Sequence, residues 1–361
     1  MNNKLIKKTL LDGIIDSVIS DSIVLKKGRL IKLVGAKNFD YRDEVESCSE
    51  KLAYLYSNDM GVFHHVIGLS STDILYWKFG DDKQVSVGNH SDLFLHAIYC
   101  DEPYLYLRGV SSGKCFEFNM EKSEIRGLCE KRFTNTPVVV NDKLFAMSGS
   151  DSLDCYSLSG SLVWSCNLVE LVRKNTQLTE GLNFKVSERV RSVESKIIFH
   201  VDPYRLFCVS SEDGRYLWDI DDVVDFNWCV GHDNYIYSVR NGMLKTISST
   251  DGSIVSDREI DCDWIQSEKI GLNLFQVSYT DTHLICGFLG HGLCAINLKT
   301  AKVDWHEFDG MTCNRKPIIK NNRIYAQMKG GIEFGGGRGQ EYVLEGVGGY
   351  MDCPDNRFNF I

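Results

Sequence analysis

The chain has 361 residues, of which 43% are hydrophobic and 25% charged, and its formal net charge is −9. An acidic chain lacks the clustered Lys and Arg that phosphate backbones require, which argues against nucleic acid and favours a basic protein partner. Its 13 cysteines are odd in number and sit in apolar runs such as Leu206-Phe207-Cys208-Val209, so they read as reduced core residues rather than a disulfide scaffold, and no run reaches membrane-spanning length.

The N-terminal segment MNNKLIKKTLLDGIIDS has no apolar h-region and no small-residue cleavage site, which places the protein in the cytoplasm as an expectation. Within it, Lys4 to Leu11 has the composition of a strand. Phe94 to Tyr99 follows as an almost wholly apolar run of the kind expected for the first strand of a sheet covered on both faces.

From about residue 115 a repeat becomes visible: a strand, a turn, a Gly-like position, then an aromatic four residues later. It reads CYSLSGSLVW (Cys155 to Trp164), VSSEDGRYLW (Val209 to Trp218), ISSTDGSIVS (Ile247 to Ser256) and INLKTAKVDW (Ile296 to Trp305), with Gly160, Gly214, Gly252 and Ala301 at the Gly-like position. A weaker copy has Ser123 there, and further copies centre on Gly35, Asp81 and Glu345, giving a period of about 44 residues, the length of a four-stranded propeller blade.

The strands of one unit are legible as Pro137 to Val140, Lys143 to Met147, Leu153 to Ser157 and Ser161 to Trp164, punctuated by Asn141-Asp142, Ser150-Asp151 and Ser159-Gly160. The next unit repeats the order with Lys196 to His200, Arg205 to Val209 and Arg215 to Trp218. Its connection to the preceding unit is long and contains Asn167 to Arg173, whose apolar spacing predicts one or two helical turns. The last unit offers Pro317 to Lys320, Arg323 to Met328 and Glu341 to Leu344 but no fourth strand.

The expected fold is therefore all-β, a single β-propeller over residues 1–361 made of four-stranded blades. Eight blades are favoured, with residues 1–16 closing the ring against the last unit, 313–346; seven is the alternative if the first unit is not a blade.

The ending Asp213-Gly214-Arg215-Tyr216-Leu217-Trp218 resembles the tryptophan-docking repeat of pyrroloquinoline-quinone-like propellers. The resemblance covers about residues 115 to 310, and the remainder matches by spacing alone. In the quinone-dependent members it implies an axial cofactor, an adjacent Cys-Cys pair, a calcium loop and a secretory signal, none of which this sequence carries. What it implies here is a cofactor-free relative used for protein binding. Trp-Asp repeats are the other comparison, but the Gly-His openings are missing and Trp218-Asp219 alone supplies the closing dipeptide.

Two chemical patterns can be weighed against ordinary structure. His283-x-x-Cys286 and His291-x-x-Cys294 have zinc-like donors, yet residues three apart on a strand face opposite ways, so no metal is expected. The glycines from Gly330 to Gly339 lack the Gly-Lys-Ser/Thr ending of a phosphate loop and read as a loop of the last unit. No Ser-His-Asp or Cys-His grouping can be identified, and no catalytic residue or cofactor is expected.

Carboxylates concentrate after two outer strands. Asp219, Asp221, Asp222 and Asp225 form one group; Asp257, Glu259, Asp261 and Asp263, with Trp264, form the other. These nine residues are the candidate partner-binding set, since loops on a rigid scaffold carry recognition and negative potential steers a basic partner. The expected function is a non-enzymatic protein-binding propeller, with a bacterial immunity protein that neutralises a toxin stoichiometrically as its sharper form. A small-ligand or quinone-type enzyme using the ring axis and a scaffold with several partners are the alternatives.

Overall fold

The structure is a computed structural model of the full chain. It describes residues 5–352 apart from segments 11–13, 36–40, 47–51, 58–60, 68–71, 91–94, 177–185, 202–204, 224–227, 266–273, 308–310, 314–316 and 331–346 and shorter gaps at turns.

Among the described residues the strands form eight four-stranded antiparallel units. The first comprises Ile14–Ile19, Ser22–Lys27, Leu30–Gly35 and Tyr41–Glu46; the second Leu52–Ser57, Gly61–Ile67, Thr72–Lys78 and Val85–His90. The third holds Leu95–Asp101, Tyr104–Gly109, Cys115–Asn119 and Glu124–Cys129; the fourth Val138–Val140, Lys143–Ser148, Ser152–Ser157 and Leu162–Asn167. Val186–Val193, Lys196–Val201, Arg205–Ser210 and Tyr216–Asp221 make the fifth, and Trp228–Val230, Tyr235–Arg240, Met243–Ser248 and Ile254–Glu259 the sixth. The seventh is Leu274–Tyr279, His283–Phe288, Gly292–Asn297 and Val303–Glu307.

The eighth runs Ile318–Lys320, Arg323–Gly330, Val347–Asp352 and then the N-terminal Leu5–Leu10, which pairs with Val347–Asp352. The N-terminal strand thus completes the last sheet and shields an edge that would otherwise template association. The third strand of that sheet differs from expectation: it is Val347–Asp352, and Glu341 to Leu344 lies outside the described residues. A short strand, Met311–Cys313, bridges the seventh and eighth sheets.

Contacts divide the chain into two compact units, one of residues 28–32 and 41–222, the other of residues 1–27, 33–40 and 223–361. In the first, the opening strands of sheets two to five lie next to one another in order. In the second, the opening strands of sheets six, seven and eight do the same, and that of sheet eight adjoins Ile14–Ile19 of sheet one.

Within each unit the cores form between consecutive sheets. Phe145, Met147, Leu153 and Cys155 of sheet four pack on Ile197, Phe199, Phe207 and Val209 of sheet five. Tyr237, Val239 and Leu244 of sheet six meet Leu284, Cys286, Phe288 and Ile296 of sheet seven. Tyr325 of sheet eight packs with Val18, Ile23, Leu25 and Val34 of sheet one.

The burial is not greatest in the opening strands, as the apolar runs suggested. Val138–Val140 is only half-buried, whereas the middle strands of sheets four and five have four or five consecutive buried residues. The middle strands are covered on both faces and paired on both edges, which leaves no route to water.

The helical turns expected in the fourth connection are present as α1 (Leu168–Asn175). The Asn167 side chain caps it by accepting from the Glu170 N–H at 3.1 Å, and Arg173 and Lys174 lie in its last turn, where cations suit the dipole. Leu168 and Val172, four apart, are buried in the core between sheets four and five. That anchoring makes α1 part of the core rather than a free contact loop. Among the described residues no helix is long and apolar enough to cross a membrane.

Candidate functional site

The repeated turn between the third and fourth strands explains the Gly-like position. Gly160, Gly214, Gly252 and Ala301 all have left-handed φ values, 93°, 71°, 73° and 59°. The N–H of Gly214, Gly252 and Ala301 bonds back to the carbonyl four residues earlier, which closes the turn. At Gly214 a second requirement is added: a Cβ there would meet the Trp164 ring at 2.7 Å, and the Trp164 indole N–H donates to the Ser211 carbonyl at 3.2 Å. The tryptophan of one sheet is therefore docked on the turn of the next. By the repeat, the residue of sheet six that corresponds to Trp164 is Ser256, which has no ring, and the next turn carries a methyl at Ala301.

A second buried feature had no sequence signal. Asp154 is fully buried and accepts hydrogen bonds from Lys131 Nζ (2.6 Å), Ser165 Oγ (2.6 Å), Ser148 Oγ (2.8 Å) and Ser152 Oγ (2.9 Å). Burial pushes its carboxyl up, but these four donors together hold it below the usual carboxylate range. Every oxygen is satisfied, so the group is structural.

The two acidic segments belong to different compact units and are taken separately. In the first, Asp219 and Asp221 are both held by the Arg205 guanidinium, and Asp219 also accepts from the Tyr216 hydroxyl at 2.6 Å. The Asp219 side chain is 10% exposed and that of Asp221 67%, so Asp219 is committed to the sheet and Asp221 remains accessible. Burial, then the bond to Asp219, pushes the Tyr216 phenol up to about 12. Arg205→Met is expected to destabilise the protein by about 2 kcal/mol in urea denaturation, because Asp219 loses its cation, whereas Asp221→Asn changes stability by less than about 0.5 kcal/mol. Asp222 and Asp225 lie outside the described residues.

In the second segment, Asp257 stands 3.9 Å from the ammonium of Lys245, and Asp261 stands 3.6 Å from that of Lys302. Asp261 is fixed further by a bridge to Lys302 and by its N–H donating to the Ala301 carbonyl. Glu259 is exposed and has no ion-pair partner among the described residues. The negative surface is thus narrower than the sequence implied, because cross-strand cations offset part of it. Asp263 and Trp264 lie outside the described residues.

Beside these carboxylates, on the same outer strand Ile254–Glu259, Ile254 is 51% and Val255 53% exposed. Sequence reasoning passed over this pair because aliphatic residues in a strand read as core. Their exposure follows from position: the strand ends its sheet, and five of its six residues are exposed.

Of the zinc-like donors, His283 is engaged elsewhere through both ring nitrogens. His283 pairs through Nε2 with Asp304 Oδ2 (2.7 Å) and through Nδ1 with Thr282 Oγ1 (2.6 Å), while Cys286 and Cys294 stand opposite each other on paired strands. No group of three or more His, Cys, Asp or Glu suited to a metal ion occurs among the described residues.

Several solved structures share this architecture. BamB from Moraxella catarrhalis matches with a TM-score of 0.62 at 11% identity, covering 96% of this chain and 99% of that one. The C-terminal WD40 domain of Sif2 gives 0.61 at 12% identity over 98% of both chains. Sqt1 from Saccharomyces cerevisiae gives 0.64 at 7% identity over 93% of both. The fold is an eight-bladed β-propeller. At these identities the likeness fixes how the blades are built and leaves the function of this propeller to its own residues. No protein-family model matches the sequence. No curated protein matches it either.

Proposed function

We propose that this propeller is a non-enzymatic binding protein that receives a protein partner on the outer strand of the sixth blade. The observation that carries the reading is the exposed Ile254–Val255 pair flanked by Asp257, Glu259 and Asp261. Exposed aliphatic side chains beside carboxylates match the mixed apolar and polar make-up of interfaces, and the carboxylates together with the net charge of −9 favour a basic partner. A toxin neutralised one-to-one is the specific form of this reading. The docked Trp164 supports kinship with tryptophan-docking propellers.

The test is affinity capture of the tagged full chain from its native cells, wild type beside Ile254→Ser/Val255→Ser and Glu259→Lys. One stoichiometric partner of basic composition is expected, reduced at least about tenfold in the aliphatic variant and weakened in the charge reversal. A partner retained equally by all three proteins would refute this surface. A concentration-dependent rise in melting temperature with a quinone, sugar or divalent metal, without any protein partner, would refute the class of function.

A further inference from the structure

Two cysteine pairs are partnered across neighbouring antiparallel strands: Cys286 with Cys294 in a regular stretch of the seventh blade, and Cys115 with Cys129 in the third, where a β-bulge between Cys115 and Phe116 locally kinks the outer strand. Opposed residues in such strands have Cα atoms about 4.5–5.5 Å apart, inside the range of about 4.4–6.8 Å that a disulfide spans. None of the four is in a disulfide.

The pairs differ in access. Cys286 and Cys294 are both completely buried, sealed within the core between the sixth and seventh blades. Cys115 is completely buried too, but Cys129 is partly exposed and lies on the outer strand of its sheet, with its Sγ 4.0 Å from the Lys131 carbonyl. Cys115 is buried in one apolar cluster and Cys129 packs against that same cluster. Burial, and after it the neighbouring Cys129, raises the Cys115 thiol above its ordinary value.

We propose that Cys115 and Cys129 form a peroxide-responsive thiol pair, with Cys129 the attacking and Cys115 the resolving residue. The Cys129 thiolate attacks a peroxide oxygen, the O–O bond breaks, and a sulfenic acid forms with hydroxide as the leaving group. The Cys115 sulfur then attacks the Cys129 sulfur; the S–O bond breaks and water leaves, carrying the Cys115 proton. In sum two thiols and one hydrogen peroxide give one disulfide and two waters, the thiols oxidised and the peroxide reduced. The product staples the outer strand Glu124–Cys129 to Cys115–Asn119.

The experiment exposes the reduced full-length protein to hydrogen peroxide, blocks remaining thiols by alkylation, and identifies linked peptides by mass spectrometry. A Cys115–Cys129 link is expected to form at least about tenfold faster than a Cys286–Cys294 link, because oxidation follows exposure. It should be reversed by dithiothreitol and absent in Cys129→Ser, a change at a partly exposed site. In Cys115→Ala, Cys129 should accumulate as a sulfenic acid trapped by a 1,3-diketone reagent. The proposal is overturned if wild-type Cys129 passes to sulfinic or sulfonic acid without linking to Cys115, if it links preferentially to another cysteine, or if both opposed pairs oxidise at the same rate.

Discussion

Gly214→Ala is expected to destabilise the protein by about 3 kcal/mol, a loss far beyond that of an ordinary surface-turn alanine. Two effects add. The residue has φ 71°, where an L-residue is strained by about 1 kcal/mol, and its new Cβ would stand 2.7 Å from the Trp164 ring. Neither can relax cheaply, because the indole is held by its bond to the Ser211 carbonyl and by packing between the fourth and fifth blades.

The two effects separate in a double-mutant cycle. In a Trp164→Ala background the ring is gone, so Gly214→Ala should cost only the backbone share, about 1 kcal/mol. Equal costs in both backgrounds would show that the docked ring is not what demands the glycine. Gly160→Ala extends the same logic, since a Cβ there would fall on the Leu128 carbonyl oxygen of the preceding blade. Backbone gives way less readily than a side chain, and a loss of about 3 kcal/mol or more is expected, read as a shift in the urea midpoint. Ala301→Gly provides the contrast: relief of strain at φ 59° is offset by the loss of a buried methyl and by glycine's greater freedom when unfolded, leaving a change within about 1 kcal/mol.

Asp154→Asn is the second large effect, about 3 kcal/mol at neutral pH. The amide keeps one acceptor but turns an N–H₂ group towards donors that previously shared a carboxylate, either Lys131 and Ser148 or Ser152 and Ser165. Lys131 is partly exposed and regains water, which keeps the loss below that of a wholly buried pair. The effect depends on pH in a definite direction. Because the folded-state carboxyl is held below its ordinary value, its contribution is fully present above the unfolded pKa of about 4 and is lost as pH falls through the folded value. Denaturation of both proteins from pH 7 to pH 3 should therefore show a constant difference down to about pH 5 and a shrinking one below it. A difference that stays constant to pH 3 would mean that the carboxylate's charge does not matter.

What could be read from the sequence was what repeats locally. The Gly-like turn, the aromatic four residues later and the strands around Val138 to Trp164 are each set by neighbours within about ten residues. The segment Asn167 to Arg173 declared its helix through its apolar spacing, which is local. Even the N-terminal strand of the last sheet was legible, because a unit short of one strand must find it at the other end of the chain.

Features that depend on partners distant in sequence were not. Val347–Asp352 contains Gly348 and Gly349 and has no alternating pattern; pairing on both edges makes it a strand, where local propensity had pointed to Glu341 to Leu344. Asp154 gave no signal because, besides Ser152 on its own strand, its donors come from two other strands and from Lys131, 23 residues away. The acidic run at Asp219 looked like open negative surface until the sheet register brought Arg205 across to it.

The sequence by itself thus determined the repeat and the glycine-and-tryptophan grammar of its turns, and favoured eight blades over seven, since these follow from backbone conformation and short-range periodicity. Only the tertiary structure decided which carboxylates are neutralised, which aliphatic residues stay in water at Ile254 and Val255, and which cysteines face each other. Those outcomes depend on lateral register and on what covers each strand, and neither is encoded in any one segment.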